Sequence, residues 1–213
     1  MRNTISFSHK AVYYQSSQIT SKTEEIWFVL HGYGQLPEYF IRKFIPIAND
    51  KRVIVAPGGL SRFYLEGFSG RVGSTWMTKE ERLLDIENYI SYLNEVANTV
   101  LKEASEDVKV TLLGFSQGSA TVCRWAEQLG FQFDRLILHS GAFPADVDFS
   151  GLRNKLSSKE VFMLRGTEDE FVNDERKQEQ RKLIQKLEVS VNEIEFKGKH
   201  DIHIDSLKDI IEQ

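Results

Sequence analysis

Ser116 lies in the string Gly114-Phe115-Ser116-Gln117-Gly118, whose residue types and spacing suit a nucleophile. An apolar run, Val108 to Leu113, precedes it, and a segment with helical character, Gln117 to Leu129, follows. A G-x-S-x-G string between a strand and a helix makes a sharp turn that holds the serine hydroxyl clear of the sheet. Glycine is expected at 114 and 118 because so tight a turn leaves no room for side chains. The string also occurs as an ordinary glycine-bounded turn, so its chemistry depends on partners elsewhere in the chain.

A serine hydroxyl is a weak nucleophile at neutral pH. It needs a base, and the base needs a group to orient it. Histidine suits the base because its pKa lies near the working pH. The chain has five histidines: His9, His31, His139, His200 and His203. With a strand-to-helix elbow the acid and then the histidine follow the serine along the chain, which leaves His200 and His203. His200 is favoured, because Lys197-Gly198-Lys199 forms a loop that can aim it back over a sheet. His203 reads as a capping or surface histidine at the last helix, and His31 as a structural histidine tying loops together. No Cys/His cluster completes a metal site around the pair at 200 and 203, so no metal is expected.

The acid is sought after the apolar run Val161–Leu164, in Arg165-Gly166-Thr167-Glu168-Asp169-Glu170-Phe171-Val172. Asp169 is favoured over Glu168 and Glu170 because it sits centrally, just before a Phe-Val pair able to anchor the loop. Asp146 and Asp148 are weaker alternatives. A tetrahedral intermediate needs donors for its oxyanion. One is expected from the backbone N–H of Gln117. The other is expected from Tyr33 N–H, in the flexible loop His31-Gly32-Tyr33-Gly34.

These residues require elements to position them. Ile26–Leu30, Arg52–Ala56, Val108–Leu113, Arg135–His139, Val161–Leu164 and Val191–Phe196 read as strands, and an edge hairpin is expected around Ile5–Phe7 and Ala11–Gln15. Leu83, Ile86, Ile90, Leu93, Ala97 and Val100 step by threes and fours along one helix face, with Thr78 and Glu81 as its expected capping box. A charged segment, Asn173–Leu187, reads as a solvated surface helix with no binding face, and Ile204–Ile211 as the last helix. Alternating strands and helices imply an α/β fold, with a mostly parallel sheet covered on both faces. Sites in such sheets form beyond the carboxyl ends of the strands, where Ser116, Asp169 and His200 all fall.

Composition excludes several other functions. At 213 residues and 41% apolar, the chain is long enough for one domain with a sizeable core. Its net charge of −4, with basic residues scattered, gives no footprint for nucleic acid. No apolar run approaches a membrane span, and no secretory leader is visible. Cys123 is the single cysteine, read as a small buried hydrophobe; the absence of a disulfide framework agrees with a reducing, cytoplasmic setting.

Taken together, His31-Gly32-Tyr33-Gly34, Gly114-Phe115-Ser116-Gln117-Gly118, Asp169 in a post-strand loop and Gly198-Lys199-His200 resemble the α/β-hydrolase superfamily. Within it the chain looks like the phospholipase/carboxylesterase group, which includes the acyl-protein thioesterases. His139-Ser140-Gly141 also falls where that group usually has Ser-Gly after a strand. The resemblance implies an α/β-hydrolase fold without a large cap, a single domain over 1–213 and no cofactor. It implies Ser116 as nucleophile, Asp169 as orienting acid, His200 as base, and Tyr33 and Gln117 as oxyanion donors. Four departures are visible: Gln35 stands where the group often has Asp, and Ser119 where it often has a second glycine. The acid loop opens Arg165-Gly166-Thr167 instead of His-Gly-Asp, and Glu170 replaces a proline after Asp169.

The reaction expected is hydrolysis of small-molecule carboxylic esters or thioesters through an acyl-enzyme on Ser116. The alternatives are a non-catalytic binding protein of the same fold, or a peptidase or lipase. Between Pro57 and Met77 a long loop rich in glycine and aromatic residues is expected to line part of an acyl pocket, through Phe63, Tyr64, Phe68, Trp76 and Met77. Arg62 and Arg71 in that loop read as solvated.

Overall fold

Strands without polar alternation are stable only when both of their faces are covered, and that requirement organises this molecule. The computed structural model describes residues 1–213. Its strands are β1 (Tyr13–Gln15), β2 (Glu25–Leu30), β3 (Arg52–Pro57), β4 (Ser61–Glu66), β5 (Ser69–Thr75), β6 (Lys109–Phe115), β7 (Arg135–His139), β8 (Glu160–Gly166) and β9 (Asn192–Phe196). The helices are α1 (Pro37–Phe40), α2 (Arg82–Leu101), α3 (Gln117–Glu127), α4 (Phe149–Leu156), α5 (Asp174–Leu187) and α6 (Ile204–Ile211), with a 3₁₀ segment, Ile41–Ile47, continuing α1.

Seven strands form one sheet in the order β1-β3-β2-β6-β7-β8-β9, parallel throughout except for β1 against β3. Along β2, Ile26, Phe28 and Leu30 face one layer and Trp27 and Val29 the other, all fully buried. The first layer gathers Tyr89 and Leu93 of α2, Trp125 of α3, Leu152 of α4 and Leu187 of α5. The second gathers Phe40, Phe44 and Ile47 around α1 and the 3₁₀ segment, with Leu207 and Ile210 of α6. Each such side chain contributes about 1.5–3 kcal/mol when fully buried. The chain leaves β2 toward β3 on one side, and β6 lies on the other. The crevice at that reversal of strand order is where ligands bind in open α/β sheets.

Four expectations need correction. Ile5–Phe7 forms no strand, and only Tyr13–Gln15 pairs with the sheet edge. The expected capping box is absent: α2 begins at Arg82 behind a left-handed Glu81 (φ 50°), so Glu81 cannot reach back to Thr78, whose N–H donates to Asp85 Oδ2 at 3.2 Å. The segment Pro57–Met77 is a hairpin, with β4 and β5 paired as a separate two-stranded sheet. Its turn is made by Gly67 and Phe68, with Gly67 at φ 61°. Finally, α1, the 3₁₀ segment and α4 add helical structure that short apolar stretches did not announce.

Candidate active site

The turn from β6 into α3 holds Ser116 at φ 53°, ψ −117°, a conformation unfavourable for a residue with a side chain. Strain of this kind costs on the order of 1–3 kcal/mol and persists only where surrounding contacts enforce it. Those contacts are glycine contacts. A Cβ at Gly114 would overlap the carbonyl of Gly118, and one at Gly118 would overlap the Leu30 carbonyl of β2. Ser119 fills the place of the family's second glycine. Its hydroxyl donates to Gly114 O at 2.7 Å, and Gly141 leaves room for it, since a Cβ there would strike the Ser119 side chain.

Asp169 and His200 come from loops laced to each other. Thr167 N–H donates to Phe196 O at 2.8 Å and Glu168 N–H to Gly198 O at 2.9 Å, while Gly166 has no space for a Cβ beside Gly198. Asp169 is only 5% exposed, whereas Glu168 and Glu170 are exposed. Its Oδ1 accepts Phe171 N–H at 2.9 Å and its Oδ2 pairs with His200 Nδ1 at 2.7 Å. With the Nδ1 proton directed at the carboxylate, Nε2 keeps its lone pair. The rings of Phe115 and Phe171 stand 4.9 and 4.7 Å from the imidazole. His200 and Ser116 line one cavity of about 450 Å³. No hydrogen bond joins Ser116 Oγ to His200 Nε2; proton transfer between them requires an approach to about 2.6–3.2 Å.

The other carboxylates and histidines have separate tasks. Asp146 pairs with Arg124 and Arg82, and Asp148 caps α4 by accepting from Ser150 and Gly151 N–H. His203 caps α6 by accepting from Ser206 N–H and stacks on Phe196. His31 Nδ1–H donates to Gly32 O at 2.7 Å, and Nε2 accepts Gly59 N–H at 3.0 Å. Burial lowers its pKa to about 4. His139 Nε2 accepts His203 N–H at 2.9 Å, and burial lowers its pKa to about 3.

The loop after β2 packs beside the serine. Gly32 packs against Ser116, since a Cβ on it would lie 3.1 Å from Ser116 Cβ. In this loop Gly32 N–H donates to Gln35 Oε1 at 2.9 Å and Gly34 N–H to Ser74 O at 2.9 Å, leaving Tyr33 N–H without a protein acceptor. Gln35, the departure from Asp, thus orders the loop. Gln117 is the first residue of α3, where helix N–H groups have no intrahelical acceptor. Its side chain is tied to the end of β5 and the residues after it, with Nε2 donating to Thr75 Oγ1 at 2.9 Å and Met77 O at 3.0 Å, and Oε1 accepting Trp76 N–H at 3.2 Å.

The five aromatic and Met candidates do not reach this cavity. Trp76 is 2% exposed, its ring 5.0 Å from His31 and its Nε1–H bonded to His31 O at 2.8 Å. Phe63 packs on Tyr33 at 5.0 Å, while Tyr64 and Phe68 are exposed, Phe68 at the hairpin tip. Met77 touches the cavity wall only from behind, its Sδ 3.8 Å from Arg124 Nη1. Glycine and aromatic richness marked a packed support. The walls of the cavity are Ala120 and Arg124 of α3, the segment Gly141–Asp146, Met163 and Arg165 of β8, and Phe171 with Arg176, Lys177 and Gln180 around α5. The charged helix α5, expected to be solvent-facing throughout, therefore presents one side to the site. Gln180 fixes it there, Oε1 accepting Phe143 N–H at 2.8 Å and Nε2 donating to Phe143 O at 3.2 Å. The missed signal was Arg165 itself, a charge ending the apolar run Val161–Leu164.

The sequence matches the family model described as phospholipase/carboxylesterase over residues 16–213. No curated protein matches the sequence. Among solved structures, acyl-protein thioesterase 2 of Zea mays superposes with a TM-score of 0.72 at 14% identity, covering 95% of this chain and 97% of that one. A phospholipase/carboxylesterase from Dyadobacter fermentans gives 0.66 at 15% identity, with 98% of both chains covered. A Bacillus cereus carboxylesterase gives 0.64 at 14% identity, covering 95% of this chain and 92% of that one. At these identities the structural likeness is one of fold.

Proposed function

This chain belongs to the phospholipase/carboxylesterase family of α/β-hydrolases, and from that premise we propose that it hydrolyses small-molecule carboxylic esters or thioesters through an acyl-enzyme on Ser116. The observation that carries this reading is His200, held by Asp169 at 2.7 Å and lining the same cavity as a serine at φ 53°.

In the first half-reaction Ser116 Oγ attacks the carbonyl carbon while His200 Nε2 takes the hydroxyl proton. The carbonyl π electrons move to oxygen, and Tyr33 and Gln117 N–H receive that charge. The tetrahedral intermediate collapses, the bond to the alcohol or thiol breaks, and His200 returns the proton to the leaving group. Water then repeats the sequence on the acyl-serine, releasing the acid and restoring the hydroxyl. Asp169 holds the imidazole in the required tautomer and stabilises its transient positive charge. Residues 1–213 act as one domain, and the single thiol of Cys123, buried and with its pKa raised by burial, suits a reducing compartment such as the cytoplasm.

A fluorophosphonate probe labels the native protein, and Ser116→Ala abolishes labelling; labelling that persists in the mutant overturns the assignment. In the same assay set, His200→Ala lowers kcat by roughly 10⁴-fold or more, while His203→Ala costs little. The reverse order would move the base.

A further inference from the structure

The cavity beside Ser116 carries a charge opposite to that of the whole molecule. The chain has net charge −4, yet this wall sets Arg124, Arg165, Arg176 and Lys177 against Asp146 and Glu179. Two of the cations are deeply set, Arg124 at 5% and Arg165 at 6% exposure. A buried guanidinium is tolerated where something answers its charge and its five donors.

Arg124 is the better answered of the two, although its Nε, like that of Arg165, is enclosed without an acceptor. Its Nη2 donates to Asp146 Oδ1 at 2.7 Å, and Asp146 is shared with Arg82. Arg165 is answered less well. Its Nη2 pairs with Glu193 on β9, its Nη1 has no protein acceptor, and its Nε is enclosed without one. Buried donors left over in this way call for an explanation. Arg165 is the last residue but one of β8, on the same face as Met163, which puts its head group at the carboxyl end of the sheet, in the cavity that holds Ser116 and His200. From α5, Arg176 and Lys177 add positive charge to the same cavity; Lys177 is partly spent on Glu195 at 3.3 Å, and Arg176 on Phe171 O.

We propose that the ester taken by this site carries a second, anionic group, a carboxylate or phosphate a few bonds from the scissile carbonyl, and that Arg165 receives it. The proposal rests on the serine-esterase reading and deepens it by naming a substrate class. A planar guanidinium with free donors is suited to a carboxylate or phosphate. The same cavity is lined by the apolar Ala120, Ala142, Phe143 and Met163, wall suited to a short chain. A volume of about 450 Å³ is that of a small-molecule site. Arg62 and Arg71 on the hairpin stand outside this cavity.

The test compares two esters with one leaving group: p-nitrophenyl butyrate, and p-nitrophenyl hemisuccinate, whose four-carbon acyl chain ends in a carboxylate. The native enzyme has the higher kcat/KM for the hemisuccinate. Arg165→Gln lowers the hemisuccinate-to-butyrate ratio by roughly 10- to 100-fold, the size of a lost hydrogen bond to a charged group. Arg176→Gln, at an exposed position, lowers it by roughly 2- to 5-fold, and salt removes that part. Arg71→Gln leaves the ratio as it was. Repeating the comparison with a phosphonate-ended acyl chain tells a carboxylate from a phosphate-type anion, and preference for either over butyrate supports the assignment. Fluorophosphonate labelling of every variant reports Ser116 separately. If the native enzyme prefers butyrate to both anionic esters, or if a labelled Arg165→Gln keeps the native ratio, the anion assignment is overturned while the serine mechanism stands. Should Arg165→Gln fail to label, the Arg176→Gln ratio decides. Failure of every ester together with failure of labelling in the native protein strikes the serine reading instead.

Discussion

Two regions meet at the Ser116 elbow, and they are held in opposite ways. The β4–β5 hairpin side is held by dense packing and paired backbone. Trp76 is buried against His31, Gly34 N–H and Ser74 N–H bond across to Ser74 O and Gln35 O at 2.9 and 3.1 Å, and Gly73 presses on Gly34 too closely for a Cβ. The α5 side is held by polar clamps, Gln180 on Phe143 and Arg176 on Phe171 O. The hairpin side does not enter the cavity beside Ser116, whereas the clamps of the α5 side leave that cavity between them. The aromatic region therefore supports the site, and the charged region shapes the space beside it.

The sharpest way to break this contrast is Trp76→Ala. If the hairpin side is a support, the mutation destabilises the protein by roughly 3–5 kcal/mol in urea unfolding, and the surviving enzyme keeps its acyl-chain-length profile. A shifted profile at unchanged stability would return the acyl pocket to the hairpin. Acid comes next. Two neutral histidines are hidden in the molecule, His31 beside the hairpin and His139 on β7, on the sheet face away from α5, each with Nε2 accepting a backbone N–H. Their folded pKa values, about 4 and about 3, lie below the unfolded value of 6.5. The unfolded chain therefore binds the extra protons, and stability is full above pH 6.5 and falls below it. The slope approaches about 1.4 kcal/mol per pH unit for each histidine. Between pH 6.5 and 5 the unfolding free energy should drop accordingly, and His139→Gln should halve the slope; a flat profile would mean that neither ring resists protonation. The smallest effect belongs to the hairpin tip. Phe68→Ala, at 97% exposure, should change stability by less than about 0.5 kcal/mol and leave kcat/KM unaltered, and a large loss of activity would make the tip part of the site.

The sheet was legible because its strands are buried on both faces, so apolar runs such as Ile26–Leu30 and Arg135–His139 stand out without any knowledge of their neighbours. That Ser116, Asp169 and His200 fall at one end of the sheet was legible through topology, since parallel strands bring every post-strand loop to one end. The hairpin was not, because its strands are mostly exposed and carry no apolar alternation, as in Ser61–Glu66. The Gly67-Phe68 turn was its one local mark. The binding wall was illegible for a different reason. Its residues come from α3, β8, α5 and the segment after β7, and their approach depends on how α5 settles over the sheet, which Gln180 decides through a contact 37 residues away. Arg165 was the exception, a charge at the end of a buried strand and a departure from the related pattern.

The machinery also spans the sheet unevenly. Ser116 follows β6, between β2 and β7, whereas His200 follows β9, which has no strand beyond it. An outer strand frays more readily than an inner one. Because the Asp169 loop is stitched to the His200 loop, such fraying would carry His200 and Asp169 away together and leave the elbow intact. On the proposed mechanism turnover and fluorophosphonate labelling both need His200 beside Ser116, so both would respond to local opening of β9 before the rest of the molecule melts.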